Sequence, residues 1–597
     1  MRQRLPVFIA AMAAAVVVLP AISMGRFVGI EAPDSYGTQW FYWLTERNLT
    51  AGGGWGHTDV FFYPWGKDLL GHTGANFLDA LLAAPLRILL GPVAGYNAAV
   101  LLMLLLNGLA FSRLAADLTN DRRVVVLASI LFALNPYALF ELIEGRPTQA
   151  LLAPLVLFIC MLRRPGLRAA VFAGVFLAIS GYQYWFYAFF GGMAALGHGL
   201  VAAVRSPRIL LHHAVVAGVA LVLCAPVAVS LIAASAAGTT PGLLQTDAWS
   251  LSGVVPVTAE GMSIGIRSWQ PLHGIVGDFT VSPIDGRRQF DPLAPQVSWI
   301  ALLCALVAAI RPGRLRRAPW LAMVLVASML AIGPVLLVGD RVVVEPLYLG
   351  LVKSLAFLQR LWWPARALGV LSVLLAMAVV VVLDRLAARE RLWLWGGLLA
   401  VLWVGELWAA RLAPLPSWDA TVPAGYRCLA RGAPGAVLEL PYAWSRARMY
   451  YQTAHGRPIM GGMLEQQEAF MPAEAARVQR ENTFLVGIRV IADLGTPRWL
   501  PTRDDRQALY DLGYRYVVFS HDAYSELRPE PMRRQMMDDQ LRELLGMPVY
   551  EDARTRIYAP WGDPSPCAGV EPVPDAVPVG RTELGAEWWA RMPLPLR

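Results

Sequence analysis

Charge is scarce in this chain, and its scarcity is uneven. Of 597 residues only 16% are Asp, Glu, Lys or Arg, against about a quarter in ordinary soluble domains. Hydrophobic residues make up 56%, and the mean hydropathy is +0.47. A wholly soluble protein is excluded, and so is an all-membrane bundle, because the long apolar runs stop near residue 410. Several catalytic signatures are also missing. There is no phosphate-binding glycine loop ending in Lys-Ser/Thr, no HExxH zinc pair and no CxxC, so nucleotide hydrolysis and metalloproteolysis have no local support. Gly261, Ser263 and Gly265 fit a GxSxG nucleophile elbow. That elbow needs a strand before it and a helix after it, whereas Pro256 interrupts the preceding stretch and IRSWQP follows, so the match is read as chance.

A bilayer core takes about 20 apolar residues per helix. Suitable windows occur at 5–24, 94–115, 122–140, 148–162, 168–185, 187–204, 210–234, 297–311, 318–338, 365–384 and 391–409, which predicts eleven crossings. The shorter segment 76–90 carries Asp79, Pro85 and Arg87 and is expected to be interfacial or re-entrant. Arginine placement supports this count. Arg2 and Arg4, Arg113, Arg122 and Arg123, Arg163, Arg164 and Arg168, Arg205 and Arg208, Arg311 to Arg317, and Arg385 to Arg391 fall in alternate connections. By the positive-inside rule those connections are cytoplasmic. The net charge of +8 is thereby explained by topology, with no nucleic-acid partner implied.

The expected architecture is a polytopic α-helical membrane domain over 1–411, with external loops 25–93, 235–296 and 339–364. An extracytoplasmic α/β domain follows over 412–597. Strands are expected at 436–440 and 514–519, and helices at 464–480 and 530–545. The first span shares a basic start and small residues near Ala21 and Ser23 with signal peptides, but its apolar stretch is long for one and is read as retained. Of the five cysteines, Cys160, Cys224 and Cys304 fall in spans. Cys428 and Cys567, alone in the external domain, are disulfide candidates in an oxidising compartment.

Ionisable residues persist in a membrane domain chiefly for function. Spans 94–112, 124–140 and 169–204 have no Asp, Glu, Lys or Arg, and 365–383 has only Arg366, near its start, which argues against an ion-coupled transport path; Glu406 is the main exception. The acids are instead expected at the outer surface. Glu31 and Asp34 follow the first span, backed by Tyr36, Trp40, Phe41, Tyr42 and Trp43 as an interfacial belt. Asp34 has two readings: a functional carboxylate, or the cap of a helix starting at Ser35. His57, Asp59, His72 and Asn76 could bind sugar hydroxyls. A short turn between spans holds Glu141, Glu144 and Arg146; an exposed Glu144–Arg146 pair there would contribute only about 0–1 kcal/mol. Arg360 and Arg366 flank Trp362 and Trp363, where a guanidinium suits a phosphate or anchors a helix.

An acid after the first span, a long first external loop, many spans and a C-terminal external domain resemble the GT-C glycosyltransferases. YPWGKDLL (Tyr63 to Leu70), LNPYALFELIEG, WWPARALG, VLELPY (Val437 to Tyr442), HGRPIMGG (His455 to Gly462) and DLGYRYVVFS (Asp511 to Ser520) are similar to a broad group of bacterial members. The resemblance implies a polyprenyl-phosphate sugar donor, an extracytoplasmic acceptor (lipid, glycan or protein), inversion at the sugar, and a bacterial inner-membrane location. It places Asp34 as base or ligand of a divalent metal. Better-known members often carry two adjacent acids there, whereas Glu31 and Asp34 are three apart. Two other functions are compatible with the residues: a non-catalytic component of cell-envelope polysaccharide assembly, or a lipid or polysaccharide transporter.

Overall fold

In the computed structural model, residues 16, 25–73, 76–236, 278–281, 288–291, 297–333, 335–338, 341–344, 364–441, 447–462, 471–494, 503–521 and 531–570 are described. The chain divides into two compact units. One comprises Met1–Gly29, Thr73–Ala233 and Gly242–Trp418; the other comprises Ile30–His72, Ala234–Pro241 and Asp419–Arg597. Residues 30–72 of the first external loop thus belong to the same unit as the C-terminal residues.

The first unit is helical. Among its described residues, six helices are long and apolar enough to cross a membrane: Pro92–Ala116, Arg122–Ile143, Trp185–Ala203, Arg208–Ala233, Pro364–Ala388 and Leu392–Ala409. Shorter apolar helices cover Pro147–Leu162, Leu167–Gln183, Trp299–Ile310 and Arg317–Ile332. Residues 5–24 lie outside the described set except for Val16. Segment Pro364–Ala388 is 89% buried and Arg208–Ala233 only 22%, so the first is the hub of the bundle and the second its rim. The helix Leu78–Leu90 has 13 residues and encloses Asp79 and Arg87, while Leu81, Ile88, Leu89 and Leu90 point outward. Apolar groups outside and charges inside suit a helix that meets lipid without spanning it.

Two expectations change here. The window 318–338 does not continue as one helix: it ends at Ile332, and Val335–Val338 pairs as a strand with Arg341–Val344. Gly333, with φ +73°, follows the helix end, in a conformation that glycine takes without a Cβ penalty. Glu406 is a cap rather than an isolated membrane charge. Its carboxylate accepts the Trp299 backbone N–H at 2.7 Å and the Ser298 hydroxyl at 2.8 Å, closing the start of the helix Trp299–Ile310.

The second unit is built on a four-stranded sheet in the order Tyr550–Glu551, Thr555–Tyr558, Tyr514–Ser520, Ala436–Leu440. The last two strands pair in parallel and the others antiparallel. Strand Ala436–Leu440 is buried along its whole length. Leu438, Phe484, Ile488, Val517 and Leu541 form the core between the sheet and its helices. Cys428 and Cys567 are joined in a disulfide with Cα atoms 5.1 Å apart, a normal span for the bond.

The first-loop aromatics do not form an exposed belt. Tyr36, Trp40 and Leu44, four residues apart, are buried on one face of the helix Pro33–Ala51, which packs on the helix Ala447–His455. Trp40 stacks on Phe61 at 4.0 Å between ring centroids and donates its indole N–H to Gln452 Oε1 at 2.7 Å. Gln452 in turn donates to the Val60 and Arg457 carbonyls. Tyr42 is likewise enclosed. Aromatic area that the sequence offers to the bilayer surface is spent on the core of this unit.

Candidate functional site

The helix that begins at Arg122 breaks before Pro136, and the chain runs through three short helical pieces: Pro136–Ile143, Pro147–Ala150 and Ala153–Leu162. Broken helices leave backbone groups without intrahelical partners, and in a membrane domain the protein must supply them. It does so at each break. The Asn135 side chain accepts the Tyr137 and Ala138 N–H groups, and the Trp403 indole donates to the Leu134 carbonyl. Asn107 donates to the Ala150 carbonyl at 2.8 Å and accepts the Leu152 N–H at 2.7 Å. Gln183 donates to the Thr148 carbonyl and Tyr187 to that of Gln149. Asp79 accepts the Thr148 hydroxyl at 3.0 Å.

This irregular segment carries the charges. Arg146 donates through Nε to Glu141 Oε2 at 2.6 Å, and its Nη1 lies 3.5 Å from Glu144 Oε2. The three side chains are only 7%, 1% and 3% exposed. The exposed-turn reading of Glu144 and Arg146 is therefore corrected. Glu141 is the closer partner of Arg146, and all three are enclosed because the turn folds inward against the bundle. Among the described residues Glu141 Oε1 is buried with no hydrogen-bond partner.

Arg366 joins this cluster from about 220 residues away in the chain. It sits in the short helix Pro364–Ala367 and donates to the Tyr184 hydroxyl at 2.7 Å. With the Gln149 amide oriented to satisfy both of its ends, its oxygen accepts from Arg366 Nη1 at 2.6 Å and its nitrogen donates to the Arg146 carbonyl at 3.0 Å. The Tyr137 and Tyr187 hydroxyls lie 2.9 Å apart. Two carboxylates and two guanidiniums thus balance within one buried hydrogen-bonded network. Gln149, Tyr137, Tyr184 and Tyr187 were not expected in it. The sequence signal, in hindsight, is the pair of aromatics at the junction of the helices Leu167–Gln183 and Trp185–Ala203, opposite an N-P break.

Gly29 approaches the same segment: a Cβ on it would lie 2.9 Å from the Leu142 carbonyl oxygen. Its backbone is fixed by Pro416, and its neighbours by Asn97, which accepts the Val28 N–H and donates to the Arg26 carbonyl.

The remaining candidates lie in the second unit. The helix carrying Asp34 starts at Pro33, with Ala32 as its cap. Asp34 is therefore not the cap of a helix starting at Ser35; it lies in the first turn, where the helix dipole favours a carboxylate. It is half-buried. Glu31 accepts a short hydrogen bond from the Tyr36 hydroxyl, and Ser35 donates to the Ile30 carbonyl at 2.7 Å. His57 and Asp59 are exposed, with the His57 ring lying over Gly66. The side chain of His72, and Arg360 with Trp362 and Trp363, lie outside the described residues, as do 261–265. Among the described residues no three His, Cys, Asp or Glu side chains converge as metal ligands. The described donors therefore do not fit a bound metal.

No family model matches the sequence, and no curated protein does. Solved structures do match. The arabinofuranosyltransferase AftD from Mycobacteria superposes with a TM-score of 0.52 at 17% identity, over 92% of this chain and 39% of that one. This chain thus spans about two fifths of AftD. ArnT from Cupriavidus metallidurans bound to undecaprenyl phosphate aligns at a TM-score of 0.48 and 16% identity, over 93% and 98% of the two chains. The Archaeoglobus fulgidus oligosaccharyltransferase in its apo form aligns at 0.49 and 14%, over 89% and 70%.

Proposed function

From the GT-C fold shared with AftD as premise, we propose that this chain is a membrane glycosyltransferase. It moves a sugar from a polyprenyl-phosphate donor to an extracytoplasmic acceptor, with inversion. The observation that carries this reading is the buried Glu141–Arg146–Glu144 and Gln149–Arg366–Tyr184 network at a helix break in the membrane unit. Charges enclosed at such a position are costly and are retained for function. Guanidiniums held in place by carboxylates need no reorganisation as negative charge develops on a leaving phosphate.

The acceptor hydroxyl oxygen attacks the anomeric carbon as the bond from that carbon to the phosphate oxygen breaks. The departing phosphate keeps the electron pair, and Asp34 takes the hydroxyl proton. A single displacement inverts the centre. Glu31, held by Tyr36, supplies a second carboxylate in the same segment, and Glu144, Arg146 and Arg366 serve the phosphate end. Arg360 and His72 are proposed to act with these groups, His57 and Asp59 to bind sugar or acceptor hydroxyls. No step is routed through a metal.

The Cys428–Cys567 disulfide supports an oxidising compartment for the C-terminal residues, and the arginine-rich alternate connections support a bacterial inner-membrane protein with a cytoplasmic N-terminus. AftD is by its name a sugar transferase, which favours transfer over transport. The test uses full-length protein in liposomes with radiolabelled polyprenyl-phosphate sugars and envelope acceptors. Asp34→Asn should abolish transfer while donor binding persists, and Arg366→Met should weaken both. Undiminished transfer by Asp34→Asn refutes the assignment of the base. Donor binding without turnover in the wild type would favour the non-catalytic assembly role.

A further inference from the structure

A polar cavity lies in the membrane unit, lined by residues the transfer reaction does not use. Its cavity volume is about 30 Å³, and it is partly open to the surface. Its polar side is Arg163, just past the end of the helix Ala153–Leu162, Arg316, which caps the helix Arg317–Ile332, and His198 of the helix Trp185–Ala203. Its apolar side is Trp320, Met323 and Met377. Among the described residues Arg163 Nε is buried without a hydrogen-bond partner. Asp117, the carboxylate whose charge reaches Arg163, is held by Arg164 through two hydrogen bonds of 3.1 and 3.0 Å. Two guanidiniums therefore share one cavity whose nearest acid is committed elsewhere.

The histidine is fixed as well. His213 Nδ1 lies 3.0 Å from the Ile209 carbonyl, which can only accept, so this nitrogen carries the proton. His213 Nε2 is then the acceptor for His198 Nδ1 at 3.1 Å. This tautomer assignment follows from the hydrogen-bond network. Trp320 donates its indole N–H to the Leu374 carbonyl, which locks its ring as a wall.

We propose that this cavity binds the phosphate of an anionic phospholipid. Guanidinium is the side-chain group best matched to phosphate oxygens, and both arginines stand at the ends of bilayer-sized or shorter apolar helices, where headgroups lie. The tryptophan and the two methionines offer an apolar wall to the glycerol and first acyl carbons. On the helix that carries His198 and at its C-cap, Leu196, Leu200 and Val204 are exposed at four-residue spacing, an outward apolar stripe for the chains. The basic residues of these connections place the headgroup in the cytoplasmic leaflet.

The experiment is native mass spectrometry of the full-length protein in neutral detergent, supplied with phosphatidylglycerol, phosphatidylcholine or inorganic phosphate. Phosphatidylglycerol should be retained at least about tenfold over phosphatidylcholine, and Arg163→Ala with Arg316→Ala should lower that retention about thirtyfold. The double lysine variant should keep most of it, since a positive charge remains. Should the double alanine variant fail to fold, Arg316→Ala alone, at an exposed residue, should cost about fivefold. Equal retention of the two lipids, or no loss in the variants, overturns the proposal. Protection by inorganic phosphate with no preference for phosphatidylglycerol would assign the cavity to free phosphate and likewise overturn it.

Discussion

Glu141→Gln tests the buried network most directly, because it removes a charge and keeps the shape. In the native cluster Glu141 and Glu144 face Arg146, with Arg366 joined through Gln149. After the substitution one carboxylate faces two guanidiniums in a space closed to water. Removing one partner of a buried ion pair costs about 3–5 kcal/mol. Glu144 remains 3.5 Å from Arg146 and takes up part of the loss, which sets the expectation near the low end, about 3 kcal/mol. An exposed pair would lose about 0–1 kcal/mol. Thermal unfolding in detergent, followed by tryptophan fluorescence, should show the midpoint fall by about 6 °C, at about 2 °C per kcal/mol for a large domain. Arg146→Gln and the double variant complete a cycle whose coupling should approach about 3 kcal/mol, the upper end for contacting residues. A coupling below about 1 kcal/mol would mean that the pair is solvated, and the argument for a preorganised phosphate site would fall with it.

Two further outcomes concern the second unit. The disulfide closes a loop with a sequence separation of 139, and by chain entropy its loss should destabilise the unit by up to about 5 kcal/mol. Cys428→Ser should therefore become susceptible to limited proteolysis at urea concentrations that leave the wild type intact; identical digestion refutes this. His455 is buried and neutral, with Nδ1 accepting the Arg457 N–H at 3.1 Å; burial, then the Arg457 charge, pulls its pKa down to about 3. The unfolded chain binds this proton near pH 6.5. Its contribution is therefore intact above about pH 6.5 and is lost as the pH falls toward 3, at up to about 1.4 kcal/mol per pH unit. A His455→Gln variant should have a flatter stability profile in that window, and an unchanged slope would show that other groups carry it.

The sequence by itself determined where most of the apolar helices form and several of the local elements. Apolar runs fix where helices meet lipid, since backbone groups there must pair within the segment. Short, largely apolar runs mark Ala436–Leu440 and Tyr514–Ser520, both expected as strands and found so. The charges that matter in the turn at 141–146 were also visible, because charge stands out against an apolar background. Their environment was not, because burial depends on what folds over a residue. Glu141 rather than Glu144 as the closer partner of Arg146, the aromatics of the first loop as core, and Glu406 as a cap for a helix 107 residues away were decided only in three dimensions. So was the joining of Arg366 to Gln149. Hydrogen bonds and ion pairs act over about 3–4 Å, a range that sequence distance does not encode, so the polar network exists only once the bundle is packed.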